Sequence, residues 1–208
     1  MTDWRGALEA LRAGRVVAAP TESSYGLLAD VRQPQALGEL LAIKPRGNDK
    51  GQPLIVPDAK VWRELVLAPS AHALRLAERF WPGPLTLVTP ARDTLDARVT
   101  LNDCVAVRVP ASCPAAEIVA QYGAALTATS ANDPGAPPCL SAVEVGRVFD
   151  AAVRAGRLFV VPGTAPGGAP STLVKLGEGG EGSWRVIREG AIPSAALRRV
   201  LNSDPTTP

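Results

Sequence analysis

Histidine is almost missing from this sequence: 208 residues contain one, His72. Cysteine is nearly as scarce, at Cys104, Cys113 and Cys139, with no pair in C-x-x-C spacing. A structural zinc site needs four N or S ligands brought together, so these residues argue against one. Three scattered cysteines read instead as free thiols of a reducing compartment. Aromatic residues make up only 4% of the chain, which leaves the core to Leu, Val, Ala and Ile. No apolar run approaches the ~18 residues of a membrane span. Residues 1–14 carry charges throughout where a signal peptide would have an apolar stretch. A cytoplasmic protein with no membrane contact is expected. The net charge of +2 gives little support to general polyanion binding.

Familiar catalytic signatures are missing too. There is no G-x-x-x-x-G-K-[ST] phosphate loop and no G-x-G-x-x-G turn. A histidine-based nucleophile would have to use His72, which sits in a helical pattern as a surface side chain. An enzyme with this sequence would work by placing charges and substrates rather than by covalent attack.

Proline (20) and glycine (19) are plentiful, so short elements joined by tight turns are expected. Asp3 can cap a first helix that carries Ala7, Leu8 and Leu11 on one face and stops at Gly14. Strands are expected at 16–19, 26–31, 54–56, 85–89, 105–109, 126–129 and 158–161, with 172–176 pairing 184–188 across a plain connection at 177–182. Helices are expected at 35–43, 59–66, 70–80, 114–122, 141–151 and 194–201. Strands and helices alternate without a repeat or linker. The fold expected is therefore one α/β domain over 1–201, a twisted mixed sheet flanked by helices, with 202–208 a disordered tail.

Five polar clusters stand at expected strand ends, where open α/β sheets bind ligands. Pro20-Thr-Glu-Ser-Ser-Tyr-Gly26 offers hydroxyls for a small polar substrate, or is simply a capped turn. Lys44, Arg46 and Lys50 put three cations on one loop; they can neutralise a triphosphate or form a solvated basic segment. Arg108 interrupts a buried strand and needs a partner, either an internal acid or a substrate carboxylate. Ser130-Ala-Asn132 suits phosphate or ribose contacts, or is an ordinary Asx turn. Ser171, with Arg188 further on, can contact substrate and phosphate; each also has a plain surface explanation.

Taken in order, the clusters resemble the threonylcarbamoyl-AMP synthase family, the YrdC-like proteins. The matching pieces are Pro20-Thr-Glu with Tyr25-Gly26, Lys44-x-Arg46, Pro53-Leu-Ile-Val56, Trp81-Pro-Gly-Pro84-Leu-Thr, Ala106-Val-Arg108-Val-Pro, Ser130-Ala-Asn132, Pro170-Ser-Thr172 and Arg188-x-Gly190. Each is weak alone, but together they cover nearly the whole chain. The resemblance implies a basic concave surface that binds ATP, L-threonine and bicarbonate. It implies Lys44 and Arg46 as catalytic cations that, with Lys50, face the triphosphate. Ser130, Asn132 and Arg188 would lie near the nucleotide. Ser23, Arg108, backbone groups near Ala128, and Ser171 would hold threonine. Mg²⁺ would accompany ATP, with no protein side chain assigned to it. The product, threonylcarbamoyl-AMP, would pass to threonylcarbamoyl-transfer proteins that modify a tRNA adenosine (t6A37).

Two features depart from the family pattern. Pro57 stands where many relatives have histidine, and Gly51-Gln52 lengthen the Lys44 loop. The alternative is a non-catalytic module of the same fold that binds double-stranded RNA or a nucleotide. A third reading, carbamoyl transfer as in hydrogenase-maturation proteins, would call for a much longer chain.

Overall fold

The expected alternation of strands and helices is present, but the strands divide between two sheets. The computed structural model describes residues 3–45, 51–177 and 183–202. The elements run α1 (Arg5–Arg12), β1 (Val16–Pro20), β2 (Tyr25–Leu28), α2 (Pro34–Ile43), β3 (Leu54–Ile55), α3 (Ala59–Leu65), α4 (Ala71–Phe80), β4 (Leu85–Pro90), β5 (Thr100–Leu101), β6 (Cys104–Arg108), α5 (Pro114–Tyr122), β7 (Leu126–Thr127), β8 (Thr129–Ser130), α6 (Ala142–Val148), α7 (Asp150–Arg154), β9 (Leu158–Val160), β10 (Thr172–Leu176), β11 (Trp184–Arg188) and α8 (Ser194–Asn202). Of the expected tail, Asn202 is the last turn of α8, and 203–208 lie outside the described residues. None of the described helices is long and apolar enough to cross a membrane.

Helix ends follow local chemistry. The Asp58 carboxylate accepts from the Lys60 and Val61 amides, and the Ser70 hydroxyl from the Ala73 amide. Ser141 and Glu144 form a reciprocal capping box. Asp3 accepts from the Arg5 amide, but Trp4 rather than Asp3 occupies the N-cap position. The helix expected over 141–151 breaks at Phe149 (φ −112°, ψ 29°), whose ring is buried, and becomes α6 and α7.

The smaller sheet has the order β8-β2-β1-β9. Helices cover both of its faces. Val17 and Ala19 pack with α1 and α5, while Val16 and Ala18 pack with α2, α6 and α7. That is why Val16–Pro20 reads as an unbroken buried run with no polar alternation.

The larger sheet has the order β11-β10-β4-β6-β3-β7, with β5 on β6. It is mixed: β4 runs parallel to β10 and antiparallel to β6, and β6 runs parallel to β3. Leu85, Leu87, Val105, Val107 and Val174 face a core closed by α3, α4 and α8. Trp62 of α3 meets Trp81 there edge to face, at 5.0 Å between ring centroids. Side chains alternate across a strand, so Thr86, Ala106, Arg108 and Leu173 belong to the opposite face.

The stretch expected as one strand over 126–129 is split. Leu126–Thr127 pairs with β3 in the larger sheet, and Thr129–Ser130 pairs with β2 in the smaller one. Between them, the Ala128 amide donates to the Pro53 carbonyl at 2.7 Å. The chain changes sheets at Ala128.

Candidate functional site

The face of the larger sheet that α3, α4 and α8 leave uncovered is the floor of a hollow of about 240 Å³. Thr86, Ala106, Arg108 and Leu173 line it from the floor; Ser23, Ala128, Ser130, Ser171 and Arg188 line it from the surrounding turns and strand ends. Six residues expected at a site therefore share one cavity. Two other depressions, each about 540 Å³, lie beside α3 and near Trp62 and Trp81. They contain none of these residues, and Pro57 lines the second rather than the hollow. The smaller hollow is where the polar chemistry converges.

Arg108 ends β6 with only 11% of its side chain exposed. Its Nη1 donates to Glu22 Oε2 at 2.7 Å, and Glu22 Oε1 accepts from the Ala111 amide at 2.7 Å. The internal acid expected as one alternative is therefore Glu22. Because Arg108 also lines the hollow, the second alternative stays open to its other N–H groups. Cys113 lies behind this pair, with Sγ 3.9 Å from Glu22 Oε2. Burial, then the Glu22 charge, push its thiol up to about 11, so it stays protonated.

Arg188 closes β11. Its Nη2 donates to the Ser171 carbonyl at 2.8 Å. The side chain reaches solvent, yet burial of its guanidinium and then the nearby Arg108 charge lower its pKa. Two guanidiniums facing one hollow make it attractive to an anion. The segment under Arg188 is rigidly held. Thr172 Oγ1 accepts from the Gly190 and Ile192 amides and donates to the Ile192 carbonyl. A Cβ on Gly190 would come within 2.1 Å of the Pro170 carbonyl oxygen, so only glycine fits there.

Lys44, the C-cap of α2, does not line the hollow but reaches its wall. Its ammonium donates to the Ser130 carbonyl at 2.5 Å and to Asn132 Oδ1 at 2.8 Å. Ser130 Oγ donates to the same Oδ1 at 2.6 Å, and Asn132 Nδ2 donates to the Asp133 and Ala136 carbonyls. Lys44, Ser130 and Asn132 are thus one network, with Ser130 its member on the hollow. Arg46 and Lys50, the other expected phosphate-facing cations, lie outside the described residues. His72 lies on α4, away from the hollow.

Sequence reasoning gave no role to Glu22 or Thr86, although each stood inside a quoted motif. The signal for Glu22 was a buried arginine in need of an acid. The signal for Thr86 was a polar residue within an apolar strand.

A family model described as telomere recombination, covering the Sua5, YciO and YrdC proteins, matches residues 9–190. This chain belongs to the Sua5/YciO/YrdC family. A relative from Thiobacillus denitrificans named threonylcarbamoyl-AMP synthase is 41% identical over 172 residues, covering 81% of this chain and 88% of that protein. The structure of Pyrococcus abyssi Sua5 complexed with L-threonine superposes with a TM-score of 0.84 at 31% identity; it covers 95% of this chain, which spans only 57% of that one. Escherichia coli YciO shares the fold (TM-score 0.78, 22% identity, 95% of each chain).

Proposed function

We propose that this chain is a threonylcarbamoyl-AMP synthase, consuming L-threonine, bicarbonate and ATP and releasing pyrophosphate. The observation that carries the reading is the convergence of Arg108, Arg188, Ser130 and Ser171 on one hollow, in a chain 41% identical to a protein of that name. The same kinship favours the synthase over a non-catalytic RNA- or nucleotide-binding module.

The chemistry suits residues that hold charge and lack a nucleophile. The threonine nitrogen forms a bond to the bicarbonate-derived carbon, water departs, and a carbamate results. A carbamate oxygen then bonds to the α-phosphorus as the α–β P–O bond breaks, and its electron pair leaves with pyrophosphate. That makes the enzyme a nucleotidyltransferase.

Arg108, fixed from behind by Glu22, takes the threonine carboxylate; Ser23, Ser171 and backbone at Ala128 complete that subsite. Ser130, Asn132 and Arg188 would serve the nucleotide, and Lys44, Arg46 and Lys50 would neutralise its phosphates. Of the described residues, no group of three or more His, Cys, Asp or Glu can hold a metal ion. Both Glu22 oxygens are already engaged. Mg²⁺ would enter as a companion of the triphosphate, where it would supply charge neutralisation. In the cytoplasm the product would pass to threonylcarbamoyl-transfer proteins and so to tRNA.

Incubation with ATP, Mg²⁺, bicarbonate and each amino acid in turn tests the reading. Pyrophosphate release that rises with threonine and requires bicarbonate is expected. Release indifferent to both would assign the hollow to another reaction.

A further inference from the structure

Thr86 sits within β4, 3% exposed, between the core residues Leu85 and Leu87. Its hydroxyl lies 2.8 Å from Ser171 Oγ, and both residues line the hollow. One of these hydroxyls donates to the other, which leaves the pair one further O–H and unused lone pairs. Such a pair can both donate to and accept from a third hydroxyl.

The pair is also held in place. Ser171 is fixed through its carbonyl by Arg188, and its neighbour Thr172 is fastened to residues 190–192. Leu87 pairs with Val107 across the antiparallel β4 and β6 strands, which sets Thr86 across from Arg108. The hollow is therefore lined by Arg108 and Thr86 on its floor and by the Ser171 hydroxyl at its edge, with the apolar Ala106 and Leu173 also on the floor. That arrangement complements an α-amino acid whose short side chain carries a hydroxyl and a methyl.

We propose that Thr86, paired with Ser171, reads the side-chain hydroxyl of the amino-acid substrate and so sets the preference for threonine over its isostere valine. The inference rests on the synthase reading above. A site built to hydrogen-bond a substrate hydroxyl rejects an analogue lacking it, because its own polar groups are left unpaired; a site without those groups discriminates weakly.

The test uses the full chain and the variants Thr86→Val and Thr86→Ser. Pyrophosphate release is measured with threonine, valine and serine at saturating ATP and bicarbonate. In Thr86→Val the threonine-to-valine ratio of kcat/KM is expected to fall about 10- to 100-fold. The threonine-to-serine ratio should stay within about threefold, since serine keeps the hydroxyl and lacks only the methyl. The KM for ATP should not move, and Thr86→Ser should restore the ratio against valine.

A uniform loss with all three amino acids, or an unchanged ratio in Thr86→Val, overturns the role given to Thr86 while leaving the synthase intact. A wild-type chain that ignores threonine sinks the synthase reading and this inference with it. If Thr86→Val does not fold, Ser171→Ala removes the other hydroxyl; it must lower the same ratio, and an unchanged ratio there is equally fatal.

Discussion

The two sheets are built from similar strands but treated differently. The smaller is covered by helices on both faces, and its central strand Val16–Pro20 is buried throughout. The larger has α3, α4 and α8 on one face; its other face is packed at the β3–β7 end but open along β4, β6 and β10, where β6 and β10 alternate between buried and half-buried positions. Buried cores lie on both faces of the smaller sheet and on the helix-covered face of the larger. The bare face carries the polar groups that those cores cannot accommodate, because a buried polar group without a partner is costly. Breaking the comparison means showing that residues of the two kinds respond alike.

Leu27, fully buried in the smaller sheet, should show the largest effect. Leu27→Ala is expected to cost about 2–5 kcal/mol, read as a lower urea midpoint with unchanged slope. Lys44→Ala comes next and should act on turnover. It removes the cation joined to Ser130 and Asn132, and pyrophosphate release should fall at least about 100-fold with the far-UV spectrum retained. Full turnover in that variant would remove Lys44 from the catalytic set.

Asp30 follows, at about 2 kcal/mol. Burial alone would raise its pKa, but hydrogen bonds from Arg32, Tyr122 and Gln33 overcome burial and hold it at about 2. The folded value lies below the unfolded one, so its contribution is complete above about pH 4 and lost as pH falls toward 2. Unfolding at pH 5 and pH 2 should show a shallower decline in Asp30→Asn than in the wild type; equal declines would contradict the assignment. The smallest stability effect is expected on the bare face: Leu173→Ala should cost under about 1 kcal/mol, yet alter the KM for threonine. A loss as large as that of Leu27→Ala would erase the distinction between the sheets.

The sequence led to one mixed sheet and did not show the division into two, but many of the individual strands were legible, because burial leaves a pattern. The apolar run Val16–Ala19 marked a short buried strand, and the arginine within Val105–Val109 marked a charge in need of a partner. What stayed hidden depends on long-range contacts. The partner of Arg108 lies 86 positions away at Glu22, and no local pattern encodes that distance. The change of sheets at Ala128 was equally invisible, since Leu126–Thr129 is uniformly strand-like. The break at Phe149 reflects tertiary packing of its ring rather than any helix-breaking residue. The hydroxyl pair of Thr86 and Ser171 needs the parallel alignment of β4 with β10, which only the folded sheet reveals.

The crossing at Ala128 joins the two halves of the molecule mechanically. One five-residue ribbon is stitched into both sheets, and its second half forms a wall of the hollow. A substrate seated against that wall grips both halves at once. Its binding energy should therefore be felt across the whole protein, raising a single shared melting transition instead of firming one lobe and leaving the other loose.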